Sequence, residues 1–358
     1  MTIAASGAVS FSDLRTEFVG GSSAISFSDL YRGGSNILSK AGDNPAVNMA
    51  ASVPTSGIID VQDFYSTAKA FKNTVSSSTT NVDADALFGG DYDTNYPKII
   101  DINSGVTIGG NGDEAIDIPS GLASTLTINN AGTVIGFGGA SAGATGGSAI
   151  NCATSGVIIN NSGQISGGGG AGNVGGTGGN GSTTSTTNNT NTNNAFWGIY
   201  GQHCSGASNT QYIYYGGYSQ MNGVSGTSHT AQGVTFLKGG YSRGTDDGEG
   251  CQQSLYIVNI QSTAATTGGS GGSFGLGAGF NQSATNGGSG GSGGTNAGNG
   301  GAGSNGAALG TAAATSTAGA NGNSSNGAAG NAGGAAGAAV SGTSVTMNNS
   351  GTLNGAVA

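Results

Sequence analysis

From Gly268 to Gly342 the chain runs without a single charge and is made mostly of Gly, Ala, Ser, Thr and Asn. No ordinary apolar core can come from such a stretch. Ordering one residue costs about 1–2 kcal/mol of backbone entropy, and glycine and alanine bury almost no side-chain area in return. If the stretch is ordered, hydrogen bonds between closely approaching backbones must hold it. Glycine recurs in triplet spacing through Gly287-Gly288-Ser289-Gly290-Gly291-Ser292-Gly293-Gly294-Thr295. That is the spacing of an extended helix with three residues per turn, in which missing side chains bring neighbours within N–H to C=O and Cα–H to C=O reach. The expectation is a sandwich of polyglycine-II-type helices, and a flexible Gly/Ser linker is the alternative that composition offers. Against the linker stands the segment that ends the tract, Val345-Thr346-Met347-Asn348-Asn349-Ser350-Gly351-Thr352-Leu353, whose pattern occurs twice earlier.

The rest of the chain differs in kind. Of the 75 glycines only 13 precede Pro119, all four prolines lie at or before that residue, and six of the eight Lys and Arg fall within the first 98 positions. Unlike regions, two or three of them, are expected in 358 residues. Neither Ile118 to Leu237 nor Gly250 to Ala358 contains Asp, Glu, Lys or Arg, which removes carboxylate and lysine chemistry from both. A net charge of −9 without a basic stripe argues against a nucleic-acid partner. The first residues, Met1-Thr2-Ile3-Ala4-Ala5-Ser6, lack a charged and apolar leader, and no apolar run is long enough for a bilayer, so synthesis in a cytoplasm is expected. Cys152, Cys204 and Cys251 form no disulfide framework. Free buried thiols are expected, with pairing of Cys204 and Cys251 in an oxidising medium as the alternative.

The N-terminus repeats itself. Val9-Ser10-Phe11-Ser12-Asp13-Leu14-Arg15 returns as Ile25-Ser26-Phe27-Ser28-Asp29-Leu30-Tyr31, and a diverged copy is Ile59-Asp60-Val61-Gln62-Asp63-Phe64-Tyr65. In each copy a polar residue (Ser10, Ser26, Asp60) stands three positions before an acid, the signature of a capping box opening a short helix. Phe11 with Leu14, and Phe27 with Leu30, are expected to pack inward. Units this short need stacking on one another or docking on another protein.

β signals begin near Asp85, in four short alternating runs, Ile99–Ile102, Val106–Ile108, Ala115–Ile118 and Leu126–Ile128. Asn-Asn-small-Gly recurs at Asn129–Gly132, Asn160–Gly163 and Asn348–Gly351, each time between apolar-bearing runs. Asn and Gly tolerate positive φ, so a repeated sharp corner of a β-solenoid or β-prism layer is expected, and plain hairpins are the alternative. Between the glycine tracts, roughly Asn188–Gln261 gathers Trp197, Tyr200, Tyr212, Tyr214, Tyr215, Tyr218, Tyr241 and Tyr256. Such rings serve an exposed binding surface or a small β core equally well. The polar-flanked Tyr200, Tyr215, Tyr218 and Tyr241, together with Trp197, are the candidate contact residues.

The pair of Phe-Ser-Asp-Leu units in residues 9–34 resembles the N-terminal repeat of structural and tail-fibre proteins of tailed bacteriophages. The glycine-rich composition of residues 137–342 resembles that of the adhesins capping the long tail fibres of T-even-type phages. The resemblance implies a virion protein of the tail, attached by its N-terminus to other tail or fibre proteins and contacting a host-surface polysaccharide or outer-membrane protein, as a homotrimer or a single tip subunit. This chain departs from the adhesin pattern in carrying one long insert in place of several short loops. The alternatives are a decoration or head-fibre protein without receptor binding, and a tailspike-type glycan hydrolase.

Catalytic chemistry has little support. The acids Asp246, Asp247 and Glu249 beside Lys238 and Arg243 match no EF-hand loop and are too close in sequence for an opposed glycosidase pair. His203, Cys204, His229 and Cys251 follow no zinc spacing, and no phosphate loop occurs. No enzyme activity, cofactor or metal is expected. The fold class is mainly β: attachment repeats over 1–80, a β layer over 81–136, a first glycine tract over 137–187, the aromatic β insert over 188–261, and a second glycine tract with the closing strand motif over 262–358.

Overall fold

The computed structural model describes residues 3–20, 22–37, 47–188, 195–199, 211–215, 221–224, 226–231, 234–246 and 252–357. They form a mainly β protein with a few very short helices, in both parallel and antiparallel sheets.

All three sequence repeats open on capping boxes, because an acid three residues on reaches back to the backbone N–H of the cap residue. Ser10, Ser26 and Asp60 donate their N–H to Asp13, Asp29 and Asp63 at 2.8, 2.8 and 2.7 Å. The same contacts from Ser10 and Ser26 hold the Asp13 and Asp29 carboxyls below their ordinary range. Each box starts a turn, Phe11–Leu14, Phe27–Leu30 and Val61–Phe64, and the first runs straight on as a π-helical turn, Arg15–Val19. The fourth residue after each cap, Leu14, Leu30 and Phe64, is fully buried, and the three share a core with Phe18, Ile37 and Val53. Phe27 packs against this core, partly buried, as the sequence suggests, whereas Phe11 does not: it stays 43% exposed and meets Phe27 edge to face at 4.6 Å. Lys69 joins this unit to the next, its backbone N–H donating to Glu17 and its ammonium to the Phe18 carbonyl.

From Phe71 the chain climbs in rungs, each giving one strand to each of three sheets. Phe71–Val75, Lys98–Ile102, Leu126–Asn130, Val157–Asn161 and Thr346–Asn349 pair in parallel in the first sheet. Thr79–Thr80, Thr107–Gly109, Thr133–Ile135, Gln164–Ser166 and Thr352–Asn354 form the second. The third contains Val82–Asp83, Ile116–Ile118, Ile150–Cys152 and Val340–Gly342, with Val357 bridging to Val340. These pairings join successive rungs and are parallel, unlike hairpins. The layer starts at Phe71, inside the range that the sequence assigns to the attachment repeats, since Phe71–Val75 already supplies buried residues to the stack.

Alternation places one face of each strand of the middle rungs inside, and in-register stacking lines up like residues. Ile100, Ile128 and Ile159 form one buried column, and Ile108, Val134 and Ile165 another. The second Asn of the first two corner motifs is buried, and an amide ladder runs on to the third: Asn130 donates to Asn161 at 2.8 Å, and Asn161 to Asn349, exposed on the last rung, at 2.7 Å. The corners themselves turn without positive φ at any Asn or Gly of the motif. Their glycines answer to crowding instead: a Cβ on Gly163 would lie 2.0 Å from the Gly132 carbonyl, and one on Gly351 2.1 Å from that of Gly163.

The glycine tracts are excursions from this stack. One leaves between Ile135 and Ile150 in the third rung, and the much longer one between Ser166 and Val340 in the fourth. Residues 167–179 run through the middle of the packed segments. Their N–H groups donate at every third position to a neighbour: Gly169, Gly172, Gly175 and Gly178 to the carbonyls of Ala278, Gly275, Gly272 and Gly269. Their carbonyls accept on a second side, Gly176, Asn173 and Gly170 from the N–H of Gly301, Ser304 and Ala307. Further segments around 136–147, 311–320 and 328–337 bond to the same central run. Side chains would prevent this. A Cβ on Gly172 or Gly175 would sit 1.9 Å from the carbonyl of Ser304 or Gly301, whereas every third position, Ala171, Val174 and Thr177, carries a side chain.

Lys98 is the exception inside the stack. Register places it in the inward column between Phe71 and Leu126, where it is fully buried and its ammonium donates to the Thr94 carbonyl. Burial pushes its pKa from 10.5 down to about 8, partly opposed by the Asp93 charge.

Two outcomes follow. Gly175→Ala destabilises the glycine segments by about 3 kcal/mol, because the obstructing atom is backbone, while Val174→Ala next to it is near neutral; amide hydrogen exchange of residues 167–179 reads both, and coil-like exchange in the parent overturns the packed arrangement. Between pH 8 and 10.5 the unfolded Lys98 holds the proton that the folded one has released, so stability rises with pH through that window. The cost of keeping the buried ammonium charged, about 3 kcal/mol, is present below it. Urea unfolding from pH 7 to 10 should show this rise in the parent and not in Lys98→Met, which is the more stable of the two at pH 7.

Candidate host-contact site

The insert leaves the glycine segments on a two-stranded ribbon, Gly181–Asn188 paired antiparallel with Asn259–Thr266. Amides pin its base: Asn296 and Asn323 donate to the Ser182 carbonyl at 3.0 and 2.9 Å, and Ser182 N–H donates back to Asn323 at 2.7 Å. The ribbon is rich in Ser and Thr, with Ser185 and Ser262 hydroxyls 2.8 Å apart. A ribbon of this composition acts as a polar stalk, since apart from Ile260 at its outer end it has little apolar area to bury.

Beyond it the strand Gln252–Thr266 becomes the middle of a seven-stranded antiparallel sheet, with Ala195–Ile199 and Gln211–Tyr215 on one side and Val234–Asp246 on the other. Directly opposed residues of antiparallel strands share a face. Trp197 opposes both Tyr256 and Ile213, Phe236 opposes Ile260, Lys238 opposes Val258, and Tyr241 opposes Tyr256. These residues therefore gather on one side. Lys238 and Tyr241 are three apart, an odd spacing that would normally split them between faces, and the register shift between them restores Tyr241 to this one.

The inner part of that face is core: Trp197, Ile213, Phe236 and Val258 are buried together, with Tyr256 and Ile260 packed at the margin. Trp197 is thus not a surface contact, since its ring lies among aliphatic and aromatic neighbours with none of it exposed. At the margin the character changes. Tyr241 is 61% exposed and stands edge-on to Tyr256, with ring centroids 5.7 Å apart. The Lys238 ammonium lies 3.8 Å from the Tyr256 ring centroid, a cation–π contact. One exposed aromatic edge, one supporting ring and one cation thus stand together at this margin.

Of the other sequence candidates, Tyr215 ends the strand Gln211–Tyr215 opposite Ala195, and Tyr200 and Tyr218 lie outside the described residues. So do His203, Cys204, Asp247, Glu249 and Cys251. Sequence reasoning passed over Lys238 and Tyr256 as contact residues, because only the strand register with its bulge brings them to Tyr241. Among the described residues no group of three or more His, Cys, Asp or Glu side chains is placed to hold a metal, and no helix is long and apolar enough to cross a membrane.

The family model for the phage tail fibre adhesin Gp38 matches residues 70–263. The match begins where the three-sheet stack begins, ends within the stalk of the insert, and covers more than half of the chain. The chain belongs to the Gp38 family of phage tail fibre adhesins. It is accordingly a structural protein of the bacteriophage tail fibre, and the family is one of adhesins, not of enzymes. A solved structure, the gp37-gp38 adhesin tip complex of the bacteriophage S16 long tail fiber, is similar to it at 17% identity, covering 85% of this chain and 88% of that one with a TM-score of 0.35. That degree of structural likeness carries no argument about the fold. No curated protein matches the chain.

Proposed function

We propose that the protein is a fibre-tip adhesin held to the tail fibre by its N-terminal repeats and contacting the host cell through its aromatic insert. The three-sheet stack is read as a closed β-prism or solenoid, and the glycine segments as a polyglycine-II-type sandwich that carries the insert outward. The observation behind the host contact is Tyr241, 61% exposed on a sheet raised by a polar stalk and flanked by Lys238 and Tyr256. The glycine segments around it hold no charge. Tyr200, Tyr215 and Tyr218 belong to the same insert and are proposed to extend the contact onto a host polysaccharide or outer-membrane protein.

Attachment rests on the N-terminal unit. Its core is filled by Leu14, Leu30 and Phe64, yet Ile58 is 93% and Phe11 43% exposed. We read these exposed groups, left outside the filled core, as part of a surface for another protein. The solved neighbour is a gp37-gp38 adhesin tip complex of a long tail fiber, and a fibre protein is the partner proposed here.

Tyr241→Ala is expected to slow adsorption of virions to host cells about tenfold or more, as befits an aromatic anchor worth about 1–3 kcal/mol, while circular dichroism of the purified chain stays unchanged. Adsorption equal to the parent in both Tyr241→Ala and Lys238→Met overturns the contact. Phe11→Ser combined with Ile58→Ser leaves the N-terminal core intact and should give soluble protein missing from virions; normal incorporation of that variant overturns the attachment surface.

A further inference from the structure

The first Asn of each corner motif builds a second ladder, on the outside of the stack. Asn348 donates its amide to Asn160, Asn160 to Asn129, and Asn129 to the Asp101 carboxylate, each at 2.8 Å. Lys72 meets the other Asp101 oxygen at 2.5 Å, which anchors the foot of the ladder. Alongside runs a column of the third motif residues, Ala131, Ser162 and Ser350, all exposed. The two serine hydroxyls donate to the carbonyls of Asn130 and Asn161 on the rung before, at 3.1 and 3.3 Å. Between the columns lies an open groove of about 380 Å³ that crosses three rungs, within the range of clefts that hold small ligands.

The chemistry of the walls narrows what fits. Within the ladder Asn129 and Asn160 each use one of two amide hydrogens and one of two carbonyl lone pairs, and each serine keeps its acceptor capacity. Such a wall offers donors and acceptors in alternation, fixed in direction by the bonds along the ladder. Hydroxyl groups, which both donate and accept, complement it. None of the residues lining the groove is charged, and Asp101 at the foot of the ladder is paired with Lys72, so neither an anion nor a cation is favoured. Spacing supplies the second constraint. Parallel strands repeat about every 4.8 Å, close to the advance per ring of an extended, equatorially linked pyranose chain. An extended peptide advances only about 3.3 Å per residue and falls out of step within three rungs.

We propose that this corner groove binds a neutral, extended oligosaccharide, one pyranose per rung, with the Asn129, Asn160 and Asn348 amides on one side and the Ser162 and Ser350 hydroxyls on the other. The site is separate from the insert and does not rest on the reading of Tyr241. Calorimetric titration of the full chain with cellohexaose should give saturable binding, and maltohexaose, whose axial linkages coil the chain, should bind at least about tenfold more weakly. Ala131→Trp, on the groove wall and outside the amide ladder, abolishes the cellohexaose binding without lowering the melting temperature, and Tyr241→Ala leaves it intact. Ser350→Trp on the last rung serves as the second variant if Ala131→Trp does not fold. No saturable cellohexaose binding, binding that survives the tryptophan variants, or equal affinity for the two hexaoses overturns the proposal.

Discussion

Absence of a Cβ atom at the points where backbones approach most closely is what allows the distal half of this protein to exist. Gly172 and Gly175 bring carbonyls of other segments within 1.9 Å of where a side chain would begin, and at that approach backbone N–H groups reach partners on several sides. The usual source of stability, burial of large apolar side chains, is replaced there by a dense set of main-chain hydrogen bonds, each of which nets only about 1 kcal/mol. Many weak bonds on inextensible backbones give a rigid body that no single side chain controls. A body of that kind can carry an insert without imposing any composition on it.

The three-sheet stack supplies what the glycine segments cannot, a hydrophobic start. Its columns of Ile and Val are filled from Phe71 to Val340, and the first N–H donors of the central glycine run are fixed because Gln164–Ser166 is already paired with Thr133–Ile135. Registration thus passes from a conventional core into a lattice that has none. Two amide ladders sit at the same corner and run in opposite directions, Asn130 toward Asn349 inside and Asn348 toward Asp101 outside. Their amide dipoles therefore point opposite ways and partly offset each other.

How far these features can be read from sequence depends on their range. The capping boxes at Ser10, Ser26 and Asp60 involve residues three apart, and the sequence alone locates them. The Asn-Asn-small-Gly corners are equally visible, but their cause is not: tolerance of positive φ explains glycine in an isolated turn, whereas here Gly163 and Gly351 are crowded by the rung before, a contact that exists only once rungs are stacked. Trp197 shows the same limit. Its type is compatible with a surface anchor or a core residue, and the decision comes from which face of the strand is covered. The bulge that aligns Lys238 with Tyr241 leaves no trace in composition or periodicity, and the fully buried Lys98 looks in sequence like any charged strand start.

The chain interrupts its fourth rung after Ser166 and returns to it at Val340. Early rungs close over short distances, as in the Asn129 to Asp101 bond between residues 28 apart, whereas Asn161 reaches Asn349 across 188 residues. The entropy of closing a loop grows only slowly with its length, so the long detour costs little at equilibrium. Its weight falls on time: contacts distant in sequence form late, and a chain emerging from the ribosome can finish the first three rungs while the fourth must wait for the glycine segments and the insert to arrive. The last two rungs therefore act as a latch that closes only after the glycine segments and the insert have been made.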